Sequence, residues 1–253
     1  MWGTLRAGGD LRPHAPRSAA MAGTGIALHG GHLLNPALLA TVPSAGAVLQ
    51  WTPSRFGLTE LGDASAAWAQ PFGAVTARLS LQHSGFDAYH ELRTEAAAAG
   101  QVAPRLLLGA AAAMQHVSMA RYGGGAAWGM DIGALLEFAP GLCCAAVAEN
   151  VLQLPFAEDE RMPVRLRMGM GWDAGALRIA ADLEKESRHA LTVRLGVEYV
   201  FEHCFFLRAG VGTAPGEGAG GFGVRAGCWD IGYAVAVHPD LGWTHTVGIG
   251  FQP

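Results

Sequence analysis

From Leu191 to Phe201 every second residue is apolar. Leu191, Val193, Leu195, Val197, Tyr199 and Phe201 alternate with Thr192, Arg194, Gly196, Glu198 and Val200. Side chains of a strand point alternately to opposite faces, so this run has one wholly apolar face and would be scattered around a helix. The pattern recurs. Val164, Leu166, Met168, Met170 and Trp172 alternate with Arg165, Arg167, Gly169 and Gly171. Similar runs cover Leu177–Glu184, Phe205–Gly212, Phe222–Gly227, Ile231–His238 and His245–Phe251, and less clean ones cover Val75–Gln82 and Trp128–Glu137. Strands are expected near 45–52, 62–70, 72–83, 90–98, 103–116, 124–138, 140–150, 162–172, 176–185, 190–202, 204–213, 219–228, 229–238 and 243–251. Turn residues separate them at Asp173-Ala174-Gly175, at Pro215 to Gly218 and at Pro239 to Gly242. Leu106–Met114 and Leu142–Val151 are alanine-rich and admit a buried helix as an alternative.

Apolar surface is abundant but dispersed. Half of the 253 residues (51%) are apolar and 15% are charged, against a usual ~25% charged. No stretch approaches the ~18 uninterrupted apolar residues of a membrane-crossing helix. A closed barrel also satisfies every backbone group within lipid, using ~9–11 residues per crossing.

The polar face of the runs separates a water-soluble sandwich from a membrane barrel. It carries Arg78, Arg165, Arg167, Arg178, Arg194, Arg208 and Arg225 together with Asp131, Glu137, Asp182, Glu184 and Glu198, and Asp230 stands at a strand start. The signs nearly balance, and Lys185 is the only lysine of the chain. A surface in water accepts either base, whereas an enclosed lumen favours planar guanidiniums that bridge carboxylates. The inward glycines leave room for such side chains or for an inserted segment. Trp128, Trp172, Trp229, Tyr199, Tyr233 and Phe251 suit an interfacial aromatic girdle. The fold expected is therefore all-β: an antiparallel transmembrane β-barrel of about 14 strands over residues 44–253.

Residues 1–43 read differently. Arg17–Pro43 has no two-residue period. Ser18–Gly25 is built of small residues, and Asn35 is placed to cap a short helix with Pro36 at its first position. Such a segment is expected to fold inward as a plug or hatch. Met1–Pro16 lacks the apolar core of a signal peptide. Export then requires a start upstream or a processed or truncated chain, and a soluble periplasmic β-protein stays open as an alternative.

The opening pattern, with Arg17, Met21, Gly23, Gly25 and then Asn35-Pro36-Ala37-Leu38-Leu39-Ala40, resembles FadL-like outer-membrane proteins, in particular the PorV/PorQ-type branch of Bacteroidetes-related and spirochaete bacteria. Met130–Leu135, Ala148–Val151, Val164–Gly171, Gly196–Tyr199, Arg208–Gly210 and Asp230–Tyr233 follow in matching order. The resemblance implies a 14-stranded barrel with an N-terminal segment inside it. It also implies passage of long-chain fatty acids or other hydrophobic molecules, or a partnership with a protein-secretion complex. Outer-membrane lipid is the expected surrounding.

Other chemistry is thinly supported. No G-x-S-x-G element occurs, and Gly216–Gly223 lacks the strand–helix setting of a nucleotide loop. His29-Gly-Gly-His32 does not have the spacing of a metal site, and no cofactor is expected. Glu158-Asp159-Glu160 reads as a loop. A net charge of −4 offers no case for nucleic acid. Cys143, Cys144, Cys204 and Cys228 form no CxxC pair, and a Cys204–Cys228 bridge is left open. Catalysis is not expected. The ligand-facing candidates are Arg78, Asp131, Arg165, Arg167, Arg178, Asp182, Arg194, Glu198, Arg208 and Arg225.

Overall fold

A computed structural model of the chain describes residues 15–154, 162–187, 189–214 and 216–253. The Glu158-Asp159-Glu160 loop and the first 14 residues lie outside them. Fourteen strands, each antiparallel to both neighbours, close into one barrel. They are β1 (Gly46–Thr52), β2 (Asp63–Phe72), β3 (Val75–Phe86), β4 (Tyr89–Ala103), β5 (Leu106–Met119), β6 (Gly123–Ala139), β7 (Leu142–Leu154), β8 (Arg165–Asp173), β9 (Leu177–Glu186), β10 (Thr192–Phe201), β11 (Phe205–Thr213), β12 (Gly216–Ala226), β13 (Trp229–His238) and β14 (Gly242–Phe251). β1 meets β14 over Ala47↔Phe251 to Trp51↔Val247, which closes the ring and leaves no free edge.

The alternation sorts side chains as the periodicity requires. On β8, Leu166, Met168, Met170 and Trp172 are exposed while Arg165 and Arg167 are buried. Met168 is 65% exposed and Arg167 1%. On β10, Leu195, Val197, Tyr199 and Phe201 point out and Glu198 points in. Burying apolar area drives folding in water. A barrel that turns leucine, methionine and tryptophan outward and ionised groups inward is therefore built for lipid outside.

One alternative closes and two expectations change. Leu106–Met114 and Leu142–Val151 are strand, not helix, because each is paired on both sides. Gly216–Gly218 is not a turn: it pairs from Thr213↔Gly216 to Val211↔Gly218, so the glycines lengthen β12. The aromatic girdle is narrower than expected. Trp172, Tyr199, Trp229 and Phe251 stand at or near one barrel end, whereas Trp128 and Tyr233 lie inside β6 and β13. Trp128 there borders a shallow outer groove beside Ala96, Ala112 and Met114.

The end bearing the girdle also holds the start of β1, the end of β14 and turns of two or three residues after every even-numbered strand from β2 to β12. The opposite end carries the longer connections 53–62 and 155–164. Short turns thus gather at one end, the turn end, and the longer connections at the other.

Residues 15–43 lie against the inner wall. Helix α1 (Pro16–Ala20) packs on β11 to β14, and a 3₁₀ turn (Pro36–Thr41) packs on β3 to β6 across the lumen. Ala20, Met21, Ile26, Leu38 and Leu39 are all under 2% exposed. Asn35 caps the turn through a 3.0 Å bond from the Ala37 N–H, and Pro36 occupies its first position, where no donor is needed. Gly23 (φ +76) and Gly25 (φ +118) take backbone angles that side chains resist, and so reverse the chain between the two walls.

Inward glycines form the seat. A Cβ at Gly109 would lie 2.5 Å from the Ala37 nitrogen, and one at Gly210 would run into the backbone of Met21. Gly210→Val is therefore expected to lift the segment from the wall while the ladder, which hydrogen-bonds strand to strand, persists. The overpacking amounts to about 1–3 kcal/mol. Proteinase K should cut within residues 15–43 of the variant but not of the wild type, with heat-modifiable gel migration kept in both. Equal protection in both would show that the seat does not depend on Gly210.

Candidate functional site

Two carboxylates tie the inserted segment to the wall. Glu198, fully buried on β10, accepts from three arginines. Arg17 of α1 forks onto it, Nε and Nη2 each at 2.9 Å. Arg178 Nη1 approaches at 2.8 Å and Arg208 Nε at 2.6 Å. Bidentate guanidinium–carboxylate pairs are strong and directional, so Arg17 is held in one orientation. Asp182 on β9 accepts from the backbone N–H groups of Gly25 (2.9 Å) and Ile26 (3.3 Å) and from Arg167 (3.1 Å), and Arg167 donates to the Gly23 carbonyl at 2.6 Å. Asn35 adds a link from its amide to the Ile26 carbonyl at 2.9 Å. Met21, Gly23, Gly25, Asn35 and Pro36 all sit in this seat.

A second network runs around the other wall. Arg78 bonds the His32 carbonyl and Glu95. Arg93 reaches Glu95 at 3.0 Å and Asp131 at 3.2 Å. Asp131 also accepts the Asn150 N–H at 2.7 Å, where the β6–β7 register shifts and Asn150 is left-handed (φ 56). Arg165 joins Glu149, Glu184 and Glu186, and Arg194 joins Glu184 at 3.0 Å. Each ion named in these two networks thus meets an opposite charge, as an enclosed lumen demands.

Between the segment and the turn end lies a cavity of about 490 Å³. Arg78, Arg178, Glu198, Arg208 and Arg225 line it; Asp131, Arg165, Arg167, Asp182 and Arg194 lie outside the lining and hold the network together. Val48, Ala67 and Ala69 supply an apolar wall, with Leu33 and Val42 from the segment. His29 and His32 also face it. Desolvation, with Arg78 and Arg17 nearby, lowers the His32 pKa from 6.5 to about 3, so its ring is neutral at physiological pH. Among the described residues no three His, Cys, Asp or Glu side chains gather as metal ligands. The four cysteines are free, and Cys204 and Cys228 are not bridged.

Several residues of this site escape the face rule. Arg17 and His32 belong to the segment without a period, so parity assigns them no side. Phe206 shares the parity of Arg208 and so faces inward although it is apolar; the guanidinium carbons of Arg208 and Arg225 each stand 5.0 Å from its ring centre. Arg93 and Glu95 are masked by neighbouring alanines, although Glu91, Arg93 and Glu95 alternate with Leu92 and Thr94 and carry the needed signal.

No protein-family profile matches the chain, and no curated protein does. Solved structures do match. The CymD monoaromatic hydrocarbon channel superposes with a TM-score of 0.74 at 14% identity, covering 96% of this chain and 99% of that one. The Pseudomonas putida toluene transporter TodX gives 0.71 at 13%, covering 95% and 97%. A Pseudomonas aeruginosa FadL homologue gives 0.68 at 11%, covering 96% and 99%. At such identities the likeness is one of fold: a FadL-like, closed 14-stranded barrel along nearly the whole of each chain.

Proposed function

We propose that this chain is an outer-membrane conduit for hydrophobic or amphiphilic small molecules such as long-chain fatty acids, with residues 1–43 as its plug and 44–253 as its barrel. The observation that carries the reading is the cavity beneath the seated segment, two-sided in chemistry and enclosed by a wall whose exterior is apolar. Pockets of ~300–1,000 Å³ that bury a small ligand among apolar groups and a few polar anchors are the usual form of such sites. The structural neighbours named for monoaromatic hydrocarbons and toluene support the hydrophobic class. The PorV/PorQ-like opening enters this proposal as a seating motif: Arg17, Met21, Gly23, Gly25, Asn35 and Pro36 are all engaged with the barrel's own wall, which leaves a secretion partner without an observation of its own.

Deleting Arg17–Ala40 tests the proposal. Cells expressing the deletion should take up a long-chain fatty acid or an aromatic hydrocarbon at a changed rate, while the purified protein keeps the heat-modifiable migration of a barrel. Unchanged uptake counts against the plug. Recovery of a stoichiometric protein partner with no ligand bound would replace the conduit by an anchoring role.

A further inference from the structure

The outer face of the wall carries a hollow of about 560 Å³ over β2 to β6. Thr94 and Ala96 on β4 and Ala112 on β5 form its floor. Trp68 and Leu79 bank it on one side and Trp128 on the other, all three about half exposed. Side chains stand roughly perpendicular to a sheet. Two adjacent strands with small outward residues therefore leave a trough between taller neighbours. Its volume lies in the ~300–1,000 Å³ range of small-ligand sites. Fourteen described residues line it, fewer than the ~20–30 a side of a stable protein interface. The occupant that fits is slender.

The trough ends at a pair of histidines. Part of its lining follows one row of cross-strand partners, Ala66↔Leu81↔Thr94↔Met114↔Trp128. Two residues further along each strand, away from the turn end, the same face reads Ala64↔His83↔Leu92↔His116↔Ala126. Such a step covers ~7 Å. His90 follows two residues beyond Leu92, and its ring stacks on that of His83 with centres 6.0 Å apart and planes at 27°. Among the described residues neither ring has a hydrogen-bond partner. His116 is turned away: a Cβ on Gly124 would lie 3.5 Å from its Cε1, so its ring leans over β6. β3 ends at Phe86 and β4 begins at Tyr89, which puts the pair within three residues of the hairpin tip. At that level a wall in lipid reaches the headgroups. An imidazole keeps at least one N–H donor in either protonation state, and a donor without a partner is costly away from water.

We propose that the trough and the histidine pair form a binding site for one bilayer lipid with a phosphate head. The N–H groups of His83 and His90 donate to the phosphate oxygens, and an acyl chain lies on Ala96 and Ala112 between Trp68 and Trp128. The site is on the outside of the wall and involves neither the lumen cavity nor the inserted segment. It rests on the reading of this face as lipid-facing, and not on what passes through the barrel.

Trp68 and Trp128 report on the site, because bromine on an acyl chain quenches a tryptophan that it touches. The full chain in dodecyl maltoside is titrated with phosphatidylglycerol carrying dibrominated chains. The signal of the two tryptophans is the difference between wild type and the Trp68→Phe/Trp128→Phe variant. Their quenching should be half complete at roughly one-tenth of the mole fraction required by the equally brominated diacylglycerol, which lacks the phosphate; two hydrogen bonds to a charged group account for such a ratio. His83→Ala/His90→Ala should abolish the preference and His116→Ala should keep it. Ala96→Leu, which fills the floor, should raise the mole fraction needed for both lipids. All these side chains face outward, so each variant should keep heat-modifiable migration. Equal mole fractions for the two lipids, or a preference that survives loss of both histidines, overturns the head contact. Ala96→Leu behaving as wild type overturns the trough. Absence of saturable quenching in a chain that light scattering shows to be a dimer would give this face to a second copy and overturn the lipid. If Trp172 and Trp229 are quenched while Trp68 and Trp128 show no preference, this inference falls and the conduit stands; if no outward tryptophan is quenched, the wall does not meet lipid and both fall.

Discussion

Replacing Glu198 by alanine is expected to destabilise the barrel by about 3–5 kcal/mol, the cost of removing one partner from a buried ion cluster. Three guanidiniums, from Arg17, Arg178 and Arg208, lose their shared acceptor at once. Two of these side chains, Arg17 and Arg178, are 19% and 28% exposed toward the cavity, so part of the charge can be hydrated. This places the expected value toward the lower end of the range. The loss also releases Arg17, the one ionic anchor of α1 on the wall among the described residues, so the segment should become sensitive to protease. Urea unfolding in lipid vesicles gives the first quantity and limited proteolysis the second. Glu198→Gln keeps the shape and removes the charge, and should fall between wild type and alanine. A loss under ~0.5 kcal/mol, within the range of ordinary surface changes, would mean that the cluster does not hold the lumen.

The second large effect concerns the exterior. Leu195 lies mid-strand on β10, 50% exposed, opposite Ala181 and Val211. Leu195→Arg should cost about 2–4 kcal/mol in a bilayer, as charged residues do near the midplane of a barrel wall. Its neighbour Arg194 points inward and joins Glu184, so a shift of one residue separates a harmless arginine from a costly one. The same unfolding measurement, compared in vesicles and in a water-soluble amphipol, isolates the lipid contribution. No difference between wild type and variant would mean that this face does not meet lipid.

Parity explains why so much of the wall was legible. A two-residue period assigns every side chain to one of two faces, and the faces differ in chemistry from Arg165 to Phe251. It also placed Arg78, Glu198 and Arg208 inside. It was silent where side chains carry little contrast, as in Ala96–Ala99 and Ala110–Ala113, which is why Arg93 and Glu95 were passed over. The turn signal, not parity, fails at Gly216–Gly218, since glycine marks turns and narrow ladders alike. The inserted segment was recognisable by its lack of period, but the partner of Arg17 was not, because Glu198 is 181 residues away and only closure brings the two together. The cavity is likewise a product of closure: its lining comes from both ends of the chain, from Ala15 to Gln252.

The short hairpins have a last consequence. Connections of two or three residues follow β2, β3, β4, β5, β6, β8, β10, β11, β12 and β13, and only 53–62 and 155–164 reach ten. Among the described residues these hairpin connections add little beyond the strand ends. If the chain is the conduit proposed above, a macromolecule approaching from water meets few loops among the described residues, and selection falls to what fits inside the wall.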